Sequence, residues 1–115
     1  MISTPPQDEL PFGILELDPT GVVRRYRPEQ TRSSATSAAE IIRRNIFTDI
    51  SAVAQSKELP ERLHAFLRSS QPTEKFNLTL HCNDSDVEAQ ILLVHIYEQS
   101  EQGRERLSLV HIRRV

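Results

Sequence analysis

The chain of 115 residues is long enough to bury one hydrophobic core and too short for two, so it predicts a single domain. Its 14 Lys and Arg residues stand against 16 Asp and Glu residues, which leaves no overall positive charge to attract nucleic acid. The one cysteine, Cys82, excludes an internal disulfide and a four-thiolate metal site, and it favours a reducing compartment.

No segment is typical of a membrane anchor or a secretion signal. The longest purely apolar run, residues 91–94, is far shorter than the roughly 20 residues of a membrane helix. The amino-terminal stretch "MISTPPQDEL" carries no basic segment followed by an apolar one. We therefore expect a cytoplasmic protein without membrane contacts.

The amino-terminal part of the chain predicts an arm followed by a hairpin. Residues 1–9 are polar with a Pro pair and predict a flexible arm, which leaves residues 10–115 as the folded domain. "PFGILELD" and "GVVRRYR" are rich in strand formers and flank "DPTG", whose Pro and Gly suit a tight reversal. A small, polar stretch follows, and "AEIIRRNIF" after it predicts one or two short helical turns.

The second half of the chain predicts one helix and three strands. In "ELPERLHAFLRSS" the apolar residues recur on one side of a helix: Leu59, Leu63, Phe66 and Leu67. Pro60 falls in the first helical turn, where a proline costs little. The alternating run from Phe76 to Cys82 predicts a strand, "NDSD" a turn, and "VEAQILLVHIY" and "RLSLVHIRRV" two further strands.

The order of elements is two strands, a helical segment, one longer helix and three strands. This order predicts an α+β fold, a five-stranded antiparallel sheet with helices packed on one face. The helical section must then arch over the sheet, and the space beneath such an arch is where a small ligand would bind.

The order and three short motifs resemble PAS domains and, among them, the photoactive yellow proteins, which are bacterial blue-light receptors. "LPFGILELDPTGVVRRY" resembles their opening hairpin, "NIFTDI" the segment that leads to the chromophore, and "LVHIRRV" the last strand. From about Leu10 to Phe76 the chain runs in step with the family without a gap. The resemblance implies a PAS fold over most of the chain.

The resemblance also implies which residues form the ligand pocket. In photoactive yellow proteins a cysteine binds p-coumaric acid as a thioester, and a tyrosine and a protonated glutamate hydrogen-bond its phenolate oxygen. These positions fall on Val53, Tyr26 and Gln30, and we add Phe47 and Phe76 to the predicted pocket. A valine cannot form the thioester, and an amide has no titratable proton to transfer. The resemblance therefore implies a PAS module without the family's photochemistry.

Two interpretations of the retained polar residues stay open. Tyr26 and Gln30 could offer hydrogen bonds to a polar ligand atom, or the Tyr26 hydroxyl could be satisfied locally. Cys82 is expected on the inward face of its strand as an inert thiol, so it does not replace the missing cysteine. We predict no covalent cofactor and leave room for an unidentified non-covalent small molecule.

Haem is the alternative cofactor, because haem-binding PAS domains carry their iron-binding histidine on the equivalent helix. His64 would be the axial ligand of such a gas or redox sensor. The family histidine falls nearer the start of the helix, however, at about Leu59 or Pro60, and His64 lies on the flank of the apolar stripe. The histidines have no zinc-binding spacing, so no other metal site is predicted. For His95 and His111, which fall in strands, we expect solvated or paired residues of a sheet face.

Arginines cluster at two places, Arg24, Arg25 and Arg27 with Arg32 nearby, and Arg113 and Arg114. No aromatic residues interleave with them, so nucleic-acid stacking is not predicted.

The sequence contains no acid–base pair and no phosphate-binding glycine loop, so it does not predict an enzyme. We expect a small-ligand sensor or protein-interaction domain of bacterial signal transduction, which contacts a signalling partner or a second copy through its sheet face. A purely structural oligomerisation domain is a further alternative.

Overall fold

The computed structural model describes residues 12–29, 41–54, 56–82 and 85–115. The predictions for the arm (1–9), for Gln30 and for Arg32 lie outside these ranges. The side chain of Cys82 also lies outside what the structure describes, so its inward orientation stays a prediction.

The described elements form an α+β fold around one sheet. In chain order they are strands β1 (Gly13–Leu17) and β2 (Val23–Pro28), the helical turn α1 (Ser51–Ala54), helix α2 (Glu58–Arg68), and strands β3 (Thr73–Cys82), β4 (Ser85–Ser100) and β5 (Gly103–Arg114). The sheet is antiparallel throughout, with the strand order β2-β1-β5-β4-β3. The predicted five-stranded antiparallel sheet is confirmed. The prediction also had several helices on one face of the sheet, and the helical elements of the described residues are one helix of 11 residues and one turn of 4.

The β1–β2 hairpin turns through a side-chain hydrogen-bonding pattern that the sequence "DPTG" encodes. The Asp18 carboxylate accepts hydrogen bonds from the backbone N–H groups of Thr20 at 2.9 Å and Val22 at 3.0 Å, and from the Thr20 hydroxyl at 2.6 Å. Partial burial raises the pKa of Asp18, but these hydrogen bonds and the nearby Arg24 outweigh it and lower the pKa overall. Gly21 takes φ +95°, which a residue with a side chain rarely adopts.

Helix α2 packs its apolar stripe onto the sheet, as its spacing predicts. The buried residues are Leu59, Leu63, Phe66 and Leu67. At its start the Ser56 hydroxyl accepts a hydrogen bond from the Leu59 N–H at 3.2 Å. At its end the helix leaves carbonyl oxygens without intrahelical partners, and Arg106 of β5 donates to those of Leu67 at 2.6 Å and Ser69 at 3.2 Å.

The two faces of the sheet differ, because side chains alternate along each strand. On the inner face, which α2 covers, the buried side chains join those of the helical section in one core cluster: Leu15, Tyr26, Val53, Leu63, Phe66, Phe76, Ile91, Leu93, Val110 and Ile112. We call the opposite side the outer face. Within the described residues, no helix has the length and apolar character needed to cross a membrane.

Candidate functional site

The structure brings three of the predicted pocket residues into the hydrophobic core. Val53 is fully buried, and Tyr26 and Phe76 are 8% and 9% exposed. All three belong to one cluster with side chains of α2, and Phe47 packs against that cluster as a partly buried neighbour. Gln30 lies outside the described residues, so it cannot be placed with them. The assignment of these residues to a ligand pocket stays a prediction.

The hydroxyl group of Tyr26 has a partner within the protein. It donates a hydrogen bond to the backbone carbonyl oxygen of Phe12 at 2.8 Å. Because a phenol carries one proton to donate, that proton serves the link between β2 and the residue before β1. This geometry favours local satisfaction over the alternative, in which the same proton is directed at a ligand.

Hydrogen bonds connect the segment "NIFTDI" to the β1–β2 hairpin, and this connection was not predicted from the sequence. The Ile46 N–H donates a hydrogen bond to the Gly21 carbonyl oxygen at 2.9 Å, and the Asn45 side-chain amide donates one to the Thr20 carbonyl oxygen at 3.3 Å. The Asn45 side-chain oxygen accepts from the Phe47 N–H at 2.8 Å. A Cβ built on Gly21 would lie 2.5 Å from the Phe47 ring. The absence of a side chain at Gly21 therefore lets Phe47 lie against the turn.

His64 lies on the exposed side of α2, where its imidazole stacks on Phe47. The ring centroids are 3.8 Å apart and the planes are within 8° of parallel. An axial haem ligand must direct a ring nitrogen at iron held in a pocket. A ring that lies flat against Phe47 on the outside of the helix is poorly oriented for that task, so this geometry does not favour the haem alternative.

His95 lies on the inner face of the sheet, so of the two expectations, a solvated or a paired residue, the solvated one is wrong. Its ring stacks on Phe66 with centroids 4.0 Å apart, and its Nε2 atom is buried without a hydrogen-bond partner among the residues that the structure describes. Burial and the neighbouring positive charge of Arg106 lower the pKa of His95, while the backbones of Gln71 and Phe66 oppose this to a smaller extent. The imidazole is therefore neutral near pH 7. The sequence held one signal of this burial: the His95 ring directly follows the apolar run "ILLV" at residues 91–94.

The outer face carries arginines of the cluster that the sequence shows. Arg25 bridges Glu16 at 3.0 Å and Glu98 at 2.9 Å, and Arg24 pairs with Glu105 at 2.9 Å. Leu107 of β5, the strand between β1 and β4, is only 3% exposed although the register places it on the outer face.

Other arginines of the predicted basic cluster are differently placed. Arg27 and Arg113 are exposed and form no ion pair with the residues that the structure describes, and the Arg114 guanidinium lies 4.2 Å from the centre of the Phe12 ring. A cleft of about 110 Å³ opens beside Arg27, Gly13 and His111 at the end of β1, β2 and β5. It lies at the end of the sheet, away from α2, which covers the predicted pocket.

Comparison with known proteins supports the fold assignment. No model of a known protein family and no curated protein sequence matches the chain. Among solved structures, the chain is similar to the crystal structure of the photoactive yellow protein domain from the sensor histidine kinase Ppr of Rhodospirillum centenum. The TM-score is 0.65 at 22% sequence identity, over 93% of this chain and 89% of that one. The chain therefore has a fold like that of the photoactive yellow protein domain.

Proposed function

We propose that this domain is a PAS-type signalling module of bacterial signal transduction that resembles photoactive yellow protein but does not carry its chromophore. The observation that supports it most is the state of Val53. The resemblance assigns the chromophore-binding cysteine to this position, and here it holds a hydrocarbon side chain that is fully buried in the core. Neither a nucleophile nor an exposed surface is present at Val53 to start the thioester chemistry.

The packing around Val53 supports a role in protein contacts ahead of small-molecule sensing. Tyr26 directs its hydroxyl proton at Phe12, and Phe76 and Phe66 fill space in the same cluster. A small-molecule site usually needs a preformed concave space lined by a few polar groups that point into it. In this proposal no covalent cofactor is required, and binding of a signalling protein takes the place of light.

The structure offers two links through which a contact could shift the balance between conformations. Arg106 joins β5 to the end of α2. The stacked rings of Phe47 and His64 join the segment "NIFTDI" to the exposed side of α2. A partner changes such a balance only if it binds one arrangement of helix and sheet more tightly than the other. The outer face of the sheet, which the helix leaves open, is the surface proposed for that contact.

The proposal is tested by offering the protein an activated chromophore. Purified wild-type protein and the Cys82→Ala variant are incubated with a p-coumaroyl thioester donor, and the intact mass is measured. A photoactive yellow protein apoprotein treated in parallel shows that the donor is active. We expect no mass increase for either form of this protein. A stable adduct on the wild type would overturn the proposal, and its loss in Cys82→Ala would identify Cys82 as the attachment site.

A further inference from the structure

The cleft at the end of the sheet is lined by three polar side chains, those of Arg27, Glu29 and His111. None of the three side chains forms a hydrogen bond or an ion pair with the residues that the structure describes. By contrast Arg25, two residues before Arg27, is paired with Glu98 at 2.9 Å. Polar groups that converge on a concave space with their hydrogen-bonding capacity unused are typical of a binding site.

The register places two of these side chains on either side of Ile14. Ile14 of β1 pairs with Arg27 of β2 and with His111 of β5, so the three residues form one row across the sheet. Their neighbours in sequence point into the core, and the row therefore lies on the outer face. Two strand spacings of about 4.8 Å put the backbones of Arg27 and His111 about 10 Å apart. Ile14 and Pro28 give the cleft its apolar lining.

Glu29 adds a negative charge to the same cleft. Its backbone N–H donates a hydrogen bond to the Phe12 carbonyl oxygen at 3.0 Å, which continues the pairing of β1 and β2 beyond the end of β2. Residues two apart in an extended chain lie on the same side, about 6.6 Å from each other. Arg27 and Glu29 nevertheless form no ion pair. The space between them suits a molecule that carries both charges itself, which could bind the two groups at once.

Gly13 allows the segment with both charges to lie close against β1. A Cβ atom built on Gly13 would collide with the Arg27 carbonyl oxygen and would lie 2.8 Å from the Glu29 nitrogen. Any side chain at this position would therefore push the end of β2 away from β1. The absence of a side chain at Gly13 keeps the two charged groups beside the Ile14 wall of the cleft.

We propose that this cleft binds a small α-amino acid as a zwitterion, with its carboxylate at Arg27 and His111 and its ammonium group at Glu29. A guanidinium donates two parallel hydrogen bonds to a carboxylate, and an imidazole N–H supplies a third. The Glu29 carboxylate accepts hydrogen bonds from the ammonium group. The side chain of the ligand lies against Ile14 and Pro28. The cleft is on the other side of the sheet from the predicted chromophore pocket, so this inference goes beyond the proposed function.

The volume of the cleft indicates the size of the ligand. At about 30 Å³ for each water molecule, 110 Å³ corresponds to about three or four waters. Glycine and alanine, with five and six non-hydrogen atoms, are ligands of about this size. So few atoms, bound in a cleft that is open to one side, give weak affinity. We expect a dissociation constant for alanine on the order of 1 mM.

The experiment is a titration of the full chain with L-alanine, followed by the backbone amide signals in ¹H–¹⁵N NMR spectra. Alanine is added to about 20 mM, about twenty times the expected dissociation constant. We expect saturable shifts for the amides that line the cleft, those of residues 13–14, 27, 29 and 111–112. Propionate lacks the ammonium group and ethylamine lacks the carboxylate, so each should bind about tenfold or more weakly than alanine.

Substitutions test the role of each charge. Arg27→Gln and Glu29→Gln should each weaken alanine binding by about tenfold or more, because each removes a charged hydrogen-bonding partner. Glu29→Gln should not weaken the binding of propionate, which has no ammonium group for Glu29 to contact. Arg68→Gln is the matched control, since Arg68 is exposed on α2, and it should keep wild-type affinity. The ¹H–¹⁵N spectrum of each variant shows whether it is folded.

Three results would each overturn the proposal. They are amide shifts that do not saturate with alanine, equal affinities for alanine and propionate, and wild-type affinity in Arg27→Gln. The test with the p-coumaroyl thioester donor concerns the chromophore position in the core, so its outcome and the outcome of this titration are independent.

Discussion

Arg106 of β5 donates a hydrogen bond of 2.6 Å to the carbonyl oxygen of Leu67 in the last turn of α2. The same guanidinium donates to the Ser69 carbonyl oxygen at 3.2 Å. A cation at this end of a helix satisfies carbonyl groups that have no helical partner and interacts favourably with the helix dipole. One side chain thus ties the helix to the sheet across 39 residues of sequence.

We expect Arg106→Met to lower the free energy of unfolding by about 2 kcal/mol, because hydrogen bonds from a charged group to partly buried carbonyl groups are lost. Methionine keeps much of the apolar stem, so the change isolates the polar contacts. Urea unfolding followed by circular dichroism measures the difference. Arg104→Met is the matched control, since Arg104 is exposed and lies over the exposed ring of Tyr97. An equal loss in both variants would contradict the capping role.

The free energy of unfolding should decrease as the pH falls below about 6.5, because of His95. Burial and the charge of Arg106 lower its pKa in the folded protein below the ordinary value of 6.5, so the unfolded chain binds the proton more tightly. The stabilisation is therefore complete above about pH 6.5 and is lost as the pH falls through the lowered pKa. Urea unfolding at several pH values between about 5 and 8 measures the slope.

His95→Phe keeps a ring against Phe66 and removes the ionisable group, so it should flatten the acid-side loss. His64→Phe is the control, since its ring lies on the exposed side of α2. We expect this control to keep the wild-type slope. If His95→Phe leaves the acid-side loss unchanged, the loss arises from another group.

Gly21→Ala should destabilise the protein more than Gly103→Ala. Both glycines have positive φ, +95° and +115°, so each alanine incurs backbone strain of about 1 kcal/mol or more. At Gly21 the added methyl group meets the Phe47 ring, whereas at Gly103 none of the described residues lies within 4 Å of it. We expect an additional loss of about 1–2 kcal/mol at Gly21, measured by thermal or urea unfolding.

Removing the ring tests the cause of that additional loss. In a Phe47→Ala background the Gly21→Ala change should cost no more than Gly103→Ala does. If the difference between the two glycines persists without the ring, the loss does not come from contact with Phe47.

The local patterns in the sequence predicted the framework of the fold. Alternation identified the strands, and the stripe of Leu59, Leu63 and Phe66 identified α2, because both periodicities follow from the geometry of a single element. The prediction that Val53 and Tyr26 belong to one pocket came from a resemblance and not from periodicity.

The contacts that join distant elements could not be predicted. Three contacts depend on the tertiary arrangement: the hydrogen bond of Arg106 to the end of α2, the ion pair of Arg25 with Glu98, and the hydrogen bonds of residues 45–46 to the hairpin turn. His95 was assigned to a solvated or paired sheet face because a histidine in a strand suits either face. Only the register with Ser108 and the stack on Phe66 place it inside.

The closed state of the core at residue 53 is tested most directly by the reactivity of a thiol placed there. The measurement is the rate at which 5,5′-dithiobis(2-nitrobenzoate) labels the Val53→Cys/Cys82→Ala variant under native conditions. Because the Val53 side chain is fully buried, we expect labelling only as fast as the protein unfolds, and acceleration by urea in parallel with unfolding. Labelling at the rate of a free thiol in the folded protein would reveal an open pocket at this position and contradict the assignment to a closed core.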